Sequence, residues 1–455
     1  WNIGGYFHRM MIDAAERPGD KQVISQEFDL FTQYKSDSGK YQLLAHWLSM
    51  GHRVQETGRI MFPMSKKVET SDTRNRFHLY HQWMKSELLG VYHELQLKQA
   101  KNLHEYPQIQ TPFNSSKRRR SASSNLPRMD IREHSARIQI GFKGARESLF
   151  YSGYLQHKFT KFSSQKSQYE QHAHEYALGM QTRCNVLGDA DFFHWDGTYM
   201  LGGLYKVRIA YKHPIWDIAY ESVKFKPSFL TQCYQHNIGD ETNIFSPTTA
   251  TQISGKLRLA TSTFTLLPRA SLTKVRNHIY FQNSCEEDDV NKYHLFMAQP
   301  EQDRAYFCMA MLGADLNFNL GNTHWDNEFT SATVLGPSAE LFHIPTFLIN
   351  SKLYYVCTTQ EDAALETGID LHWKSSYEAD VYDPLMRQFY WQHDFKIPHY
   401  PIVDLFLNFR ISTFHAFVKV NHVNEYVFSN GYSVTPFYPG QHRTLELGVD
   451  WLFFD

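Results

Sequence analysis

Thr444-Leu445-Glu446-Leu447-Gly448-Val449-Asp450-Trp451-Leu452-Phe453-Phe454 alternates apolar and polar side chains with a period of two. Successive side chains of a strand point to opposite faces, so Leu445, Leu447, Val449, Trp451 and Phe453 share one face while Thr444, Glu446, Gly448 and Asp450 share the other. The first face is apolar and ends in aromatics; the second is charged. About ten residues is also what a tilted strand needs to cross the hydrocarbon layer of a bilayer. The stretch therefore predicts a transmembrane strand with a lipid side and a wet side.

The same grammar recurs upstream. Val403, Leu405, Leu407, Phe409 and Ile411 alternate with Asp404, Phe406, Asn408 and Arg410; after Ser412-Thr413 the pattern resumes with Phe414, Ala416, Val418 and Val420. A two-residue connection between such segments predicts a tight antiparallel hairpin, and short turns belong to the periplasmic rim of outer-membrane barrels. Leu365, Thr367, Ile369, Leu371 and Trp373 oppose Glu366, Asp370, His372 and Lys374. Tyr205 to Tyr211 and Trp216 to Tyr220 flank a His213-Pro214 turn, and Ile138, Ile140 and Phe142 alternate with Arg137, Gln139 and Lys143. The segment Ser86 to Ala100 reads as strand rather than helix. The expectation is an all-β, antiparallel up-and-down transmembrane barrel of roughly 16–20 strands, residues 1–455 forming a single barrel.

A soluble β-sandwich also alternates, so it is the competing reading. Its strands average about five to six residues, and the best segments here are longer. Its core is dry, whereas Asp404, Arg410, Lys419, Glu446 and Asp450 would cost several kcal/mol each if buried unpaired. Composition agrees with a barrel: 33 Phe, 27 Tyr and 9 Trp, 15% of the chain, coexist with a negative mean hydropathy. Apolar exterior, polar interior and aromatic girdles produce that pairing. No run of 18 apolar residues exists, which excludes a transmembrane helix.

The net charge of −1 gives no field to attract nucleic acid. Five scattered cysteines form no C-x-x-C, so neither a zinc site nor a disulfide framework is legible. No metal or cofactor site is expected: His93-Glu94, His104-Glu105 and His174-Glu175 each begin like a zinc-protease motif, but the residues four after the histidines are Leu97, Gln108 and Leu178. His172 and His174 share a strand face and are read as lumen residues. No nucleophile elbow, phosphate loop or dinucleotide fingerprint is present, and no catalytic residues are expected.

The pore-lining candidates are Asp370, His372, Lys374, Asp404, Asn408, Arg410, His415, Lys419, Glu446 and Asp450. Their mixed sign argues against strong charge selectivity. Trp216, Trp373, Trp451 and Phe453 are the lipid-facing and girdle candidates. Residues 113–130, which contain Lys117-Arg118-Arg119-Arg120, read as a mobile basic loop; Glu286-Glu287-Asp288-Asp289 reads as a solvated acidic one. The aromatic stretch Phe428 to Tyr438 reads as packed rim.

In the C-terminal block, Gly368-Ile-Asp-Leu-His-Trp-Lys-Ser-Ser-Tyr377, Tyr382-Asp383-Pro384, Gln388-Phe389-Tyr390, Pro401-Ile-Val-Asp-Leu-Phe406 and Thr435-Pro-Phe-Tyr-Pro-Gly-Gln441 resemble, in order, the putative porin family of Bacteroidota outer membranes. Trp1-Asn2-Ile3-Gly4, Leu201-Gly202-Gly203 and Lys226-Pro227-Ser228-Phe229-Leu230 are looser matches. The resemblance implies an outer-membrane pore-former, with further strand sequence expected before Trp1. The chain departs from the usual aromatic terminus, since Asp455 follows Phe454. Two functions stay open: passive passage of small solutes through a polar lumen, or a structural or adaptor barrel within a larger outer-membrane secretion or assembly complex. Expected partners are outer-membrane lipid and, for the second, other outer-membrane proteins.

Overall fold

A computed structural model of the protein describes residues 1–14, 17–56, 68–105, 128–164, 169–188, 190–237, 245–283, 298–360, 363–383, 388–427, 431–436 and 438–451. Among the described residues twenty long strands follow one another: β1 (Asn2–Ala14), β2 (Arg17–Lys35), β3 (Tyr41–Glu56), β4 (Val68–Ser86), β5 (Leu89–Glu105), β6 (Arg128–Arg146), β7 (Leu149–Ser164), β8 (Tyr169–Gly188), β9 (Asp191–Met200) and β10 (Leu204–Lys212). The second half comprises β11 (Trp216–Phe225), β12 (Thr248–Leu257), β13 (Phe264–Asn283), β14 (Ala298–Leu320), β15 (Thr323–Leu335), β16 (Phe347–Gln360), β17 (Ala363–Lys374), β18 (Tyr400–Ile411), β19 (Phe414–Asn421) and β20 (Thr444–Trp451). Each pairs antiparallel with the next in chain order. Among the described residues no ladder joins β1 to β20.

The connections differ at the two ends. One end has tight turns such as Glu147-Ser148, Asn322 with Gly321, and Ser412-Thr413. Glu147, Gly321 and Ser412 take φ of 51°, 62° and 49°, the left-handed start that matches a hairpin turn to strand twist. The other end has the long connections 226–247, 336–346, 375–399 and 422–443. Short turns mark the periplasmic rim, so the long connections are extracellular and β20 ends at the periplasmic side.

Register divides every strand into two faces. Leu445, Leu447, Val449 and Trp451 are 54–68% exposed on the apolar face, continuous with Leu405, Leu407, Phe409 and Ile411 on β18. Aromatic rings gather on that face near the short turns: Trp1 lies 4.7 Å from Tyr34, Tyr211 4.9 Å from Trp216, Phe318 5.7 Å from Trp325 and Phe414 5.9 Å from Trp451. This is the periplasmic girdle; Trp373, at the far end of β17, belongs to the extracellular one. Trp216, Trp373 and Trp451 share the apolar face of their strands, and Phe453 lies outside the described residues. The segment Ser86 to Ala100 is strand on both sides of the Glu87-Leu88 turn, as expected. Residues 128–130 correct the reading of 113–130 as loop, because they open β6 and pair with β5, Asp130 opposite Leu103. The rest of that stretch is outside the described residues.

Gly368 shows how tightly the charged face is packed. A Cβ there would meet the Leu353 carbonyl oxygen at 2.4 Å and the Phe406 ring at 2.8 Å. The first is backbone held by the ladder and cannot move aside. Gly368→Ala is expected to destabilise the folded protein by about 1–3 kcal/mol, read from its urea midpoint in lipid vesicles.

Candidate functional site: the inner wall

The charged face is the one that the long connections pack against. The connection after β11 starts a helix, α1 (Phe229–Asn237), where Pro227-Ser228 stops the extended chain and the Thr231 N–H donates to the Ser228 hydroxyl at 3.1 Å as an N-cap. α1 touches both β8 and β14, which are six strands apart, so it reaches across the interior. Phe229 lies 5.9 Å from the ring of Phe162, which is buried on the charged face of β7; Cys233 is fully buried. From the connection 336–346, Phe342 covers buried Phe307 on the charged face of β14, ring centroids 3.8 Å apart. Chain segments thus fold inward at the extracellular mouth.

Below the mouth, the register brings the predicted residues onto one face. Asp370 is directly opposite Asp404, and Lys419 reaches both, at 3.8 and 2.9 Å. Glu446 is opposite Lys419 and accepts from the Asn421 amide at 2.5 Å. His415 is opposite both Arg410 and Asp450, and Asn408 is opposite Glu366. His372 Nδ1 lies 2.9 Å from the Asn350 amide oxygen, and the Lys374 ammonium lies 5.1 Å from the Tyr377 ring centroid. All ten candidates share the inner wall, and the ion pairs hold like charges close without burying any of them alone.

Sequence reading missed the wall's other hubs. Arg269 donates to Asp315, to Glu328 at 2.6 Å and to Thr330 at 3.0 Å. Arg137 and His78 both meet Glu94, at 2.5 and 3.3 Å, and Lys352 pairs with Glu366 at 2.8 Å while lying over the Phe406 ring at 4.6 Å. The wall is not uniform around its circumference. On β4–β7 it carries Arg74, Arg76, Lys98, Arg137, Lys143 and Lys158 against Asp72, Glu94 and Glu133; on β15–β20 the seven carboxylates from Asp326 to Asp450 outnumber Lys352, Lys374, Arg410 and Lys419. A basic arc and an acidic arc follow.

His172 and His174 are a correction. They lie on the outer face of β8, beyond its apolar run of Tyr176, Leu178 and Met180, and His174 Nδ1 meets His157 Nε2 at 3.1 Å. A barrel wall is polar on both sides above the hydrocarbon layer, so a polar pair there carries no information about the lumen. No group of three metal-binding side chains occurs among the described residues. Lys117 to Arg120 and Glu286 to Asp289 lie outside them.

The extracellular connections pack on one another: the Thr435 hydroxyl donates to the Asp380 carbonyl at 2.5 Å, and Val381, Tyr390 and Ala298 form a small core with Phe281; of the Phe428 to Tyr438 stretch read as rim, residues 428–430 and 437 lie outside the described residues. Glu425 accepts from the Arg443 N–H at 2.7 Å and faces His442 Nδ1 at 2.5 Å, and these bonds, the His442 one first, hold its carboxyl below the usual value of 4.5. A depressed carboxylate stabilises above its unfolded value and stops doing so as pH falls through its folded one. Protection factors of the described amides of 422–443, which take out the intrinsic pH dependence of exchange, are therefore expected to hold between pH 5 and about 6 and to fall only below about 4.5.

Solved structures of similar fold include bacterial metal and siderophore receptors and transporters. The copper transporter OprC superposes with a TM-score of 0.70 at 11% identity, covering 99% of this chain and 75% of that one. The FrpB iron transporter of Neisseria meningitidis (F5-1 variant) gives 0.67 at 11% identity, covering 99% and 78%. BauA, the ferric preacinetobactin receptor of Acinetobacter baumannii, gives 0.62 at 10% identity, covering 99% and 75%. No curated protein matches the chain. An exposed apolar belt, an aromatic girdle and a charged inner wall on this fold define a β-barrel of the bacterial outer membrane. The chain belongs to the putative porin family, whose profile matches residues 1–455.

Proposed function

We propose that the barrel lets small polar solutes pass passively through its lumen. The observation that carries this reading is the inner wall of paired charges, from Asp370–Lys419–Asp404 to Arg269–Glu328, which stays wettable because few of its charges are committed to a dry core. The inward packing of Phe229 and Phe342 at the mouth sets an upper size limit rather than a charge filter. Lipid is the surrounding partner, and no catalytic role is part of the reading. Proteoliposomes holding the protein are expected to swell in small sugars, with a rate that falls with solute size. A rate equal to that of empty liposomes for every solute would overturn the reading.

The packed extracellular connections favour a second reading, an adaptor barrel of a larger outer-membrane complex, since the Val381–Tyr390 core stiffens a surface that neighbours could bind. Stoichiometric co-purification of other outer-membrane proteins under mild detergent supports it. Isolation of the free protein counts against it.

A further inference from the structure

The inner wall holds a recess of about 380 Å³ between β10 and β15. It follows from side-chain size. One cross-strand row reads Ala210, Ala219, Ser254, Ser271, so the wall has a floor of small side chains there. The row toward the extracellular side carries Arg208 and, two strands along, Gln252; the row toward the periplasm carries Asp217, Lys256 and Arg269. Long polar side chains above and below a small-residue row leave a hollow between them.

The charges around this hollow are unequal in their commitments. Arg269 is pinned by Asp315, Glu328 and Thr330. Arg208 and Lys256 are not: among the described residues neither has a carboxylate within ion-pairing distance, although Glu221 and Asp217 lie opposite them in the register. Glu221 instead reaches toward Lys206 at 3.8 Å. Two uncommitted cations, with the Gln252 amide and the Ser254 and Ser271 hydroxyls beside them, present donors to a bound group.

We propose that this recess is a binding station for a small oxyanion, a carboxylate or a phosphate, carried by a solute in transit. A guanidinium offers two parallel donors and an ammonium a point charge, which together suit an oxyanion better than a neutral sugar. The inference rests on the passive-channel reading and names the class of solute that lingers in it. Asp217 limits the attraction, so binding stays weak enough for release.

The test uses the whole protein in detergent, titrated calorimetrically with inorganic phosphate in one arm and succinate in the other. Saturable binding in at least one arm is expected, and the arm that binds more tightly identifies the oxyanion. Arg208→Gln with Lys256→Gln should weaken that binding at least tenfold, and so should Ser254→Met, which fills the hollow without touching charge. Lys161→Gln, opposite His172 on the outer face of β7, should leave it unchanged, and all variants should keep their β-sheet circular dichroism. Absence of binding in both arms, or binding by the double variant or by Ser254→Met as tight as that of the unsubstituted protein, overturns the proposal. Swelling assays on the same samples separate the two readings: binding without solute flux removes the channel and keeps the recess, whereas flux without binding removes the recess and keeps the channel.

Discussion

Leu407→Arg is expected to destabilise the folded protein by about 2–4 kcal/mol, the cost of an arginine facing hydrocarbon near the bilayer midplane of a barrel. Leu407 is the middle residue of the apolar row Val403, Leu405, Leu407, Phe409 and Ile411, and it lies opposite Thr367 and Val418 on the same face. Asn408→Arg, one residue away, points to the wet wall and is expected to change stability by under about 1 kcal/mol. Ile411→Arg, at the periplasmic edge of the same row, should cost about 0–1 kcal/mol because the side chain reaches water. Denaturant midpoints of folding into lipid vesicles give all three values. Equal effects of Leu407→Arg and Asn408→Arg would mean that the two faces are not distinguished by lipid.

Asp404→Ala should have the largest effect among inner-wall substitutions, about 2–3 kcal/mol. Its carboxylate accepts from the Lys419 ammonium at 2.9 Å and from the His422 N–H at 2.8 Å, and its side chain is 8% exposed. Removal leaves a buried backbone donor unpaired and weakens the hold on Lys419, which keeps only the longer contact to Asp370 at 3.8 Å. The partial exposure of Lys419 keeps the value below that of a fully buried pair. Asp404→Asn preserves an acceptor for His422 and should cost less. Combined with Lys419→Met, Asp404→Ala should cost clearly less than the two single changes added together, which a double-mutant cycle measures.

The wall from Leu365 to Trp451 was legible because alternation is local: each strand states which residues share a face, and two-residue turns such as Ser412-Thr413 state how neighbours pair. That is enough to place Asp370, Asp404 and Lys419 on one side. It is not enough to find Arg269, whose partners Asp315 and Glu328 are 46 and 59 residues away and meet it only through the register of β13, β14 and β15. The helix at Phe229–Asn237 was illegible for a different reason. It is nine residues long, and its hold on the interior comes from Phe162 rather than from any periodicity of its own. His172 and His174 mark the limit of alternation itself. A period of two assigns residues to a common face but does not say which face is wet, and above the hydrocarbon layer both are.

The most direct test of the passive lumen is single-channel recording of the purified protein in a planar bilayer. The charged inner wall predicts discrete, ohmic conductance steps without any added partner or energy source, with weak preference between cations and anions because the basic arc of β4–β7 and the acidic arc of β15–β20 offset one another. Silent bilayers, obtained with protein that is folded and inserted by its circular dichroism and liposome flotation, would contradict it.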